Sequence, residues 1–482
     1  MSGGPISDLA GAVAQRRGGA VAAVEQALER ITARDGEIGA VVALRAEQAC
    51  AEAAALDQAL AAGDVAPGPL AGVPVLVKDL EDVAGLPTRR GSLLFAAAAP
   101  AEVDEVVPAR LSAAGAIVVG KTNLPEFAVQ GYTDNLLEGV TRNPWAPEYS
   151  PGGSSGGSAA ALAAGMVPIA TATDGGGSVR IPAAFCGLVG IKPTHGLVGR
   201  WPVADWIDLS TYGPIATTVA DLRLLLSLIV GVVPGDPSSA PAPIALDADP
   251  GPPPSRLIAA QRTSPWGLLP EAVAALHTAG VEALAEVLGV PVTWLEPEEV
   301  FPGGGGDPDL DWVTLATAEH VAALGREAVT AGLDRMHPST AAFMRHGLEV
   351  GVDEYLAARR RRPGYTRRLD GMLGRDRLLV TPTVAVEGWL ADGRLTADDA
   401  PGMLPPQVFN TGVQNITGHP AITVPAGLTP IGVPFGLQVT GPRWRDGLLL
   451  DIAARWESEQ PWPRTAPGYD EFAVPDLAPV AG

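Results

Sequence analysis

Lysine is nearly absent from this chain of 482 residues: Lys78, Lys121 and Lys192 stand against 30 arginines. Arginine keeps its proton in a protein, whereas a buried lysine can become neutral and act as a base. Each lysine position is therefore informative, the plain alternative being that arginine is too large there. Cysteine is scarcer still. Cys50 and Cys186 alone cannot make a disulfide framework, which fits a reducing cytoplasm. Positive charge is also in deficit, with 33 basic residues against 54 acidic ones and a formal charge of −21. That balance argues against nucleic acid and anionic membrane as partners, since either requires basic surface. The four arginines at 359–362 are the one dense basic cluster and read as a solvated helix face. No window approaches about 18 uninterrupted apolar residues, so no membrane span is expected. The stretch LRLLLSLIVGVV (222–233) is long enough only for a buried helix, and the opening MSGGPISDLAGAVAQRRGG has no apolar signal core. Six histidines show no H-E-x-x-H or paired-ligand spacing, so neither a metal nor a cofactor is expected.

What the chain has in quantity is small residues, concentrated in SPGGSSGGSAAALAAGMVPIATATDGGGSVRIP (150–182). Two glycine-rich turns, Gly152 to Gly157 and Asp174 to Ser178, flank a small-residue helix and a short apolar strand. Glycine at this density costs backbone entropy and is kept where the chain bends sharply or approaches a ligand closely. Successive N–H groups left unpaired by such a turn can gather around an anion. Serines beside them suggest acyl transfer, in which a hydroxyl attacks a carbonyl and the N–H groups hold the oxyanion. The regular run between the turns argues against a flexible linker, which is how GGGG at 303–306 reads.

Along the chain, residues 7–62 are spaced for amphipathic helices, and GVPVLVKD (72–79) is a buried-strand signal ending at Lys78. Lys78 is either a desolvated base or one half of an ion pair with Asp79. Gly115 to Thr122 matches the phosphate-loop pattern G-x-x-x-x-G-K-T. Its four middle residues (AIVV) are themselves a strand, however, and Pro125 stands where a following helix needs N–H groups, so Lys121 reads as structural. Strands and helices alternate to the C-terminus, predicting an α/β fold with a largely buried sheet. The segment 257–375 is the poorest in motifs and is expected to form a variable cap.

Three serine or metal schemes compete. An α/β-hydrolase elbow around Ser155 fits G-x-S-x-G, with His419 as a possible partner, but it lacks the apolar strand that should lead into it. Metal chemistry lacks ligands. The third scheme has Ser178 as nucleophile, an oxyanion hole from the N–H groups of Gly175, Gly176, Gly177 and Ser178, and a neutral lysine acting through a second serine.

The blocks GVPVLVKDL (72–80), TRNPWAPEYSPGGSSGGSAAA (141–161) and TDGGGSVRIPAAFCGLVGIKPT (173–194) resemble those of the amidase signature family. GKTNLPEF and PAITVPAG…GVPFGLQVTG are similar to further blocks, so the resemblance spans nearly the whole chain and is weakest at 233–375. It implies one domain over 1–482, with the catalytic motifs at 72–200 and the cap-like region at 233–375. The implied fold is α/β, a central mixed, mostly parallel twisted sheet covered by helices on both faces. It further implies a Ser–cis-Ser–Lys triad of Ser178, Ser154 and Lys78, the two serines 24 positions apart. Supporting roles fall to Ser155, Thr173, Asp174 and Arg180. Gln130, Gly131, Trp206 and Trp389 are candidates for the substrate pocket. The expected enzyme is a cytoplasmic monomer or homodimer that cleaves small apolar or aryl amides, with possible side activity on esters and carbamates. The ending EQPWPRTAP resembles stand-alone bacterial amidases. A transamidating A-type subunit is the alternative, but its A-S-S-L-D-Q-type segment is replaced here by VADWIDLS (203–210). A degenerate scaffold is disfavoured by the intact triad. Two departures from the family pattern stand out. Gly175 replaces a larger residue, which predicts a looser oxyanion hole, and Glu138 replaces an aromatic.

Overall fold

The computed structural model describes residues 4–240, 246, 251–265, 269–302, 305–395 and 410–473. Parts of the 234–255 segment and of the GGGG run lie outside the described residues. The N-terminal 60 residues are helical as expected, over Pro5–Ala14, Ala20–Ile38 and Ala46–Ala62, except that strand β1 (Val41–Leu44) interrupts them. Next come β2 (Pro74–Lys78), β3 (Ile117–Thr122), β4 (Ile169–Ala170) and β5 (Thr173–Asp174). They are followed by β6 (Val189–Lys192), β7 (Thr211–Tyr212), β8 (Ile215–Ala216) and β9 (Arg256–Ala260). The last are β10 (Val292–Leu295), β11 (Arg377–Pro382), β12 (Ala421–Leu428) and β13 (Pro434–Thr440).

The strands form a four-stranded sheet in the order β1-β3-β2-β4, a seven-stranded sheet in the order β10-β9-β11-β13-β12-β6-β8, and a β5-β7 pair. The mixed α/β architecture is as expected, but the parallel majority is not: four of the ten pairings are parallel and six antiparallel. Connection length explains the difference. β2 to β3 and β9 to β10 each pass through a helix (Val106–Ala113 and Glu271–Leu288) and return parallel. β12 and β13 are joined by five residues and can only run antiparallel. Helix Arg180–Phe185 packs on β6, β12 and β13, and helices Glu271–Leu288 and Asp446–Glu459 pack on strands of the same sheet and on each other. The apolar run at 222–233 overlaps the helix Val219–Ile229, amphipathic and half sunk in the main core.

One expectation is corrected. Residues 233–375 are not one cap, because β9 and β10 belong to the large sheet, while the helices Pro308–Leu324 and Pro338–Glu349, with Glu354, contribute walls near the glycine turns. The segment after 410 begins with the buried helix Gly412–Thr417.

Candidate active site

β2 is buried along its whole length, so its last side chain, Lys78, reaches the centre of the molecule with 0% of its surface exposed. Its Nζ lies 2.8 Å from Ser154 Oγ, 2.9 Å from Ser155 Oγ and 2.9 Å from Thr173 Oγ1. Burial draws the Lys78 ammonium down to about 7, against a smaller upward pull from Glu81 and Asp174. Three hydroxyls can each accept from an ammonium or donate to a neutral amine, so the cluster tolerates both states. The strand end is pinned by Thr171, whose Oγ1 accepts from the Lys78 N–H at 2.9 Å and donates to Glu81 Oε2. Asp79 turns away from Lys78 and pairs with Lys121 at 3.2 Å. The P-loop reading of Lys121 is excluded by geometry, since Ile117–Thr122 is strand throughout. Lys192, drawn down to about 7 by burial and then by Arg180, donates to the Pro193 carbonyl.

Ser154 lies after a cis Gly153–Ser154 peptide bond, and Ser155 immediately precedes the fully buried helix Gly156–Ala163. Facing them, the second glycine turn is folded around Asp174. Its carboxylate accepts from the N–H groups of Gly177 (2.8 Å) and Val179 (3.2 Å) and forms a two-pronged pair with Arg180 (2.8 and 2.9 Å). Burial opposes ionisation of Asp174, but Arg180 holds it at about 2. Arg180 is itself fully buried and also binds Gln414, Gln438, Asn415 and the Thr411 carbonyl. This network fixes the turn from behind and presents Ser178, 8% exposed, to a cavity. One expected donor is thereby removed: the Gly177 N–H is spent on Asp174 and cannot serve an oxyanion. Among the described residues, none accepts from the N–H groups of Gly175, Gly176 or Ser178.

The two leading glycines of that turn have a steric reason. A Cβ on Gly175 would fall 2.1 Å from Trp206 Cε3, and one on Gly176 would fall 2.5 Å from Trp312 Cζ2. Trp312 Nε1 donates to the Gly175 carbonyl at 2.8 Å, and the two indoles pack edge to face with centroids 5.5 Å apart. The space vacated at Gly175 is filled by indole, so the turn is clamped where the sequence predicted looseness.

Two cavities meet at Ser178. One, of about 740 Å³, is lined by Gln130, Gly131 and Gly176 and walled by Ile181, Trp206, Trp312 and Phe343. The other, of about 100 Å³, is reached from Ser154, Thr173 and Gly175 and is lined mostly by polar side chains. Of the four pocket candidates, Gln130, Gly131 and Trp206 lie at these cavities. Trp389 does not: it is 2% exposed in a separate core cluster against Phe185 and Tyr132 (centroids 5.5 and 6.3 Å). A large indole in a compact fold fills core by default. Glu138 pairs with Arg89 at 3.0 Å and lines neither cavity. His419, a possible base for Ser155, is buried against Thr417 and Asp370 instead. Sequence reasoning missed Thr171, Glu81, Trp312 and the Gln414–Asn415–Gln438 cradle of Arg180. Their one available signal was polar residues inside otherwise apolar blocks, as in VKDLED and LQVTG.

The family model "Amidase" matches residues 22–450. A Mycobacterium tuberculosis protein named as an amidase, AmiA2, is 36% identical over 96% of this chain and 94% of its own length. A glutamyl-tRNA(Gln) amidotransferase component from a Cyanothece strain is 34% identical over 91% of this chain and 94% of its own. The crystal structure of a bacterial aryl acylamidase of the amidase signature family superposes with a TM-score of 0.85 at 26% identity, covering 95% of this chain and 96% of that one. The chain belongs to the amidase family, whose members of this kind are C–N hydrolases. Among the described residues no helix is long and apolar enough to cross a membrane, and no His, Cys, Asp and Glu cluster could hold a metal.

Proposed function

We propose that the protein hydrolyses small apolar or aryl carboxylic amides through an acyl-enzyme on Ser178, with Lys78 as base and Ser154 as relay. The observation that carries this reading is the 2.8 Å contact of a fully buried lysine with Ser154 at the mouth of a cavity that Ser178 also lines. Neutral Lys78 takes the Ser154 proton as Ser154 takes that of Ser178, whose Oγ attacks the amide carbon. The N–H groups of Gly175, Gly176 and Ser178 receive the oxyanion, each such donor contributing about 10²–10³ in rate in comparable sites. The relay then reverses to protonate the departing nitrogen, and water cleaves the acyl-enzyme by the same path. Ser155 and Thr173 orient the Lys78 amine, while Asp174 and Arg180 hold the turn. An ester or carbamate carbonyl presents the same geometry and is an expected side substrate. The single domain, a monomeric or homodimeric state and a cytoplasmic setting belong to the same proposal; two free cysteines fit the last.

A fluorophosphonate should label Ser178 and a primary aryl amide should be turned over, both being lost in Ser178→Ala. Turnover surviving that substitution, or an adduct on Ser155, would overturn the assignment. Turnover requiring an added partner chain would favour the amidotransferase reading.

A further inference from the structure

The two cavities differ in size, polarity and position relative to the relay. Trp206 stands between them and lines both, fixed by its Nε1 donating to the Ala316 carbonyl at 2.9 Å. Ser154 lines the small chamber and, among the described residues, not the large cavity. The small chamber also contains unsatisfied chemistry. Glu81 is 1% exposed, and its Oε1 has no hydrogen-bond partner while Oε2 is held by Thr171. His320 is 2% exposed with neither ring nitrogen bonded, the Asp205 carboxylate lying 3.8 Å from Nε2. Among the charged groups there, Glu105 accepts from Tyr212 and the Asp82 N–H, and Arg90 pairs with Asp205 at 3.1 Å. Burial, aided by Glu105, lifts the Glu81 carboxyl to about 8, and burial lowers His320 to about 4, so at pH 7 His320 is neutral and Glu81 mostly protonated. Neutral, they still offer acceptor lone pairs to an N–H group.

We infer that the small chamber receives the departing amine and the large aromatic-walled cavity receives the acyl group. Primary amides of bulky aryl or apolar acids are then the preferred substrates, and anilides of small acids are poor ones. The inference rests on the assignment of Ser178 and Ser154 above. The reacting carbonyl carbon must sit at Ser178, so its two substituents point into the two cavities. When the C–N bond breaks, its electron pair stays on nitrogen and is protonated from Ser154 Oγ, which recovers a proton from Lys78. The acyl group remains on Ser178 Oγ until water replaces it and the free acid leaves. The nitrogen must therefore lie on the side where Ser154 is reachable, which is the small chamber. At about 100 Å³ that chamber is smaller than the roughly 150 Å³ engineered cavity that admits benzene. An aryl ring there would also leave Glu81 and His320 unpaired, and sites built for hydrogen bonding reject such ligands strongly. Ammonia or a small polar amine meets both limits.

The test uses isomeric pairs with the full-length enzyme: phenylacetamide against acetanilide, and 1-naphthylacetamide against N-(1-naphthyl)acetamide. At least tenfold higher kcat/KM for the primary amide of each pair, after correction for alkaline reactivity, is expected. Equal rates or a preference for the anilides would overturn the inference and leave the amidase reading standing. No turnover of any of the four would sink the amidase reading and this inference with it. Acyl-enzyme capture gives a second readout: hydroxylamine and methylamine should divert the acyl group from water, and aniline should not; equal capture by aniline counts against the inference. His320→Ala, which enlarges the chamber, should move the isomer ratio at least fivefold toward the anilides. An unchanged ratio in a folded variant would also overturn it.

Discussion

Two lysines stand at the ends of neighbouring parallel strands, Lys78 last in β2 and Lys121 last but one in β3, pairing Val77 with Lys121 and Lys78 with Thr122, and both are wholly buried. Their surroundings differ in one respect. Lys121 meets a carboxylate, Asp79 at 3.2 Å, together with the Thr88 hydroxyl at 2.6 Å and the Pro87 carbonyl. Lys78 meets three hydroxyls and, among the described residues, no carboxylate within hydrogen-bond reach. Burial lowers both, but at Lys121 the adjacent Asp79 charge opposes it, whereas at Lys78 the opposing carboxylates, Glu81 and Asp174, act only from farther off. A base thus differs from a structural cation by what its nitrogen touches.

The strongest way to break the comparison is to exchange the lysines' roles. Lys78→Arg places a permanent cation among the hydroxyls and should lower kcat/KM by about 10³-fold or more, with Tm little changed. Ser178→Ala should lose at least as much, by removing the nucleophile itself. Lys121→Met should do the reverse: it strands Asp79 as an unpaired buried charge and costs about 3–5 kcal/mol in urea unfolding. Activity per folded molecule should stay within about threefold, an effect far smaller than the thousandfold losses usual for catalytic groups. Equal loss of activity from both lysine variants would remove the distinction.

A gentler probe is pH. The base is competent only when neutral, so kcat/KM should fall tenfold per unit below about 7, the value to which burial draws Lys78. Burial lifts the Glu81 carboxyl to about 8, so it is mostly protonated across that limb, and Glu81→Gln should leave the limb in place. A limb displaced to lower pH in that variant would show that Glu81 is ionised beside the amine. A profile flat down to pH 5 would remove Lys78 as the titrating base.

The strand under Lys78 was legible because VPVLVK is an apolar run with β-branched residues, and the glycine turns were legible because they set serines among glycines on either side of a regular small-residue run. The sense of strand pairing was not. Alternating strands and helices predict parallel neighbours, but the five-residue link between β12 and β13 makes a hairpin that sets the sense of the sheet's centre. The aromatic wall was equally hidden. Trp312 reaches Gly176 across 136 positions from a helix with no motif, and only three-dimensional contact explains why the turn carries glycine there. Trp206 could be placed near the pocket because it lies shortly after the catalytic blocks, while Trp389 had no comparable anchor and proved to be core. The Gly177 donor failed for a local reason, Asp174 three residues earlier, which capping logic could have foreseen.

The smallest expected effect separates the two adjacent serines. Ser154 and Ser155 lie 2.8 and 2.9 Å from Lys78 Nζ, so distance alone does not rank them. Ser154 lines the chamber that Ser178 also lines, whereas the Ser155 hydroxyl sits at 0% exposure beside the Thr173 backbone, 3.4 Å from both its N–H and its carbonyl. Ser155→Ala therefore removes one of three anchors from the amine and leaves Ser154 and Thr173 in place. Losing one such hydrogen bond is expected to cost about 0.5–1.5 kcal/mol, or at most roughly tenfold in kcat/KM. Fluorophosphonate labelling at Ser178 should persist in that variant, and Ser154→Ala should be at least a hundredfold slower than Ser155→Ala. The reverse order would move the relay to Ser155 and with it the side from which the departing nitrogen is protonated.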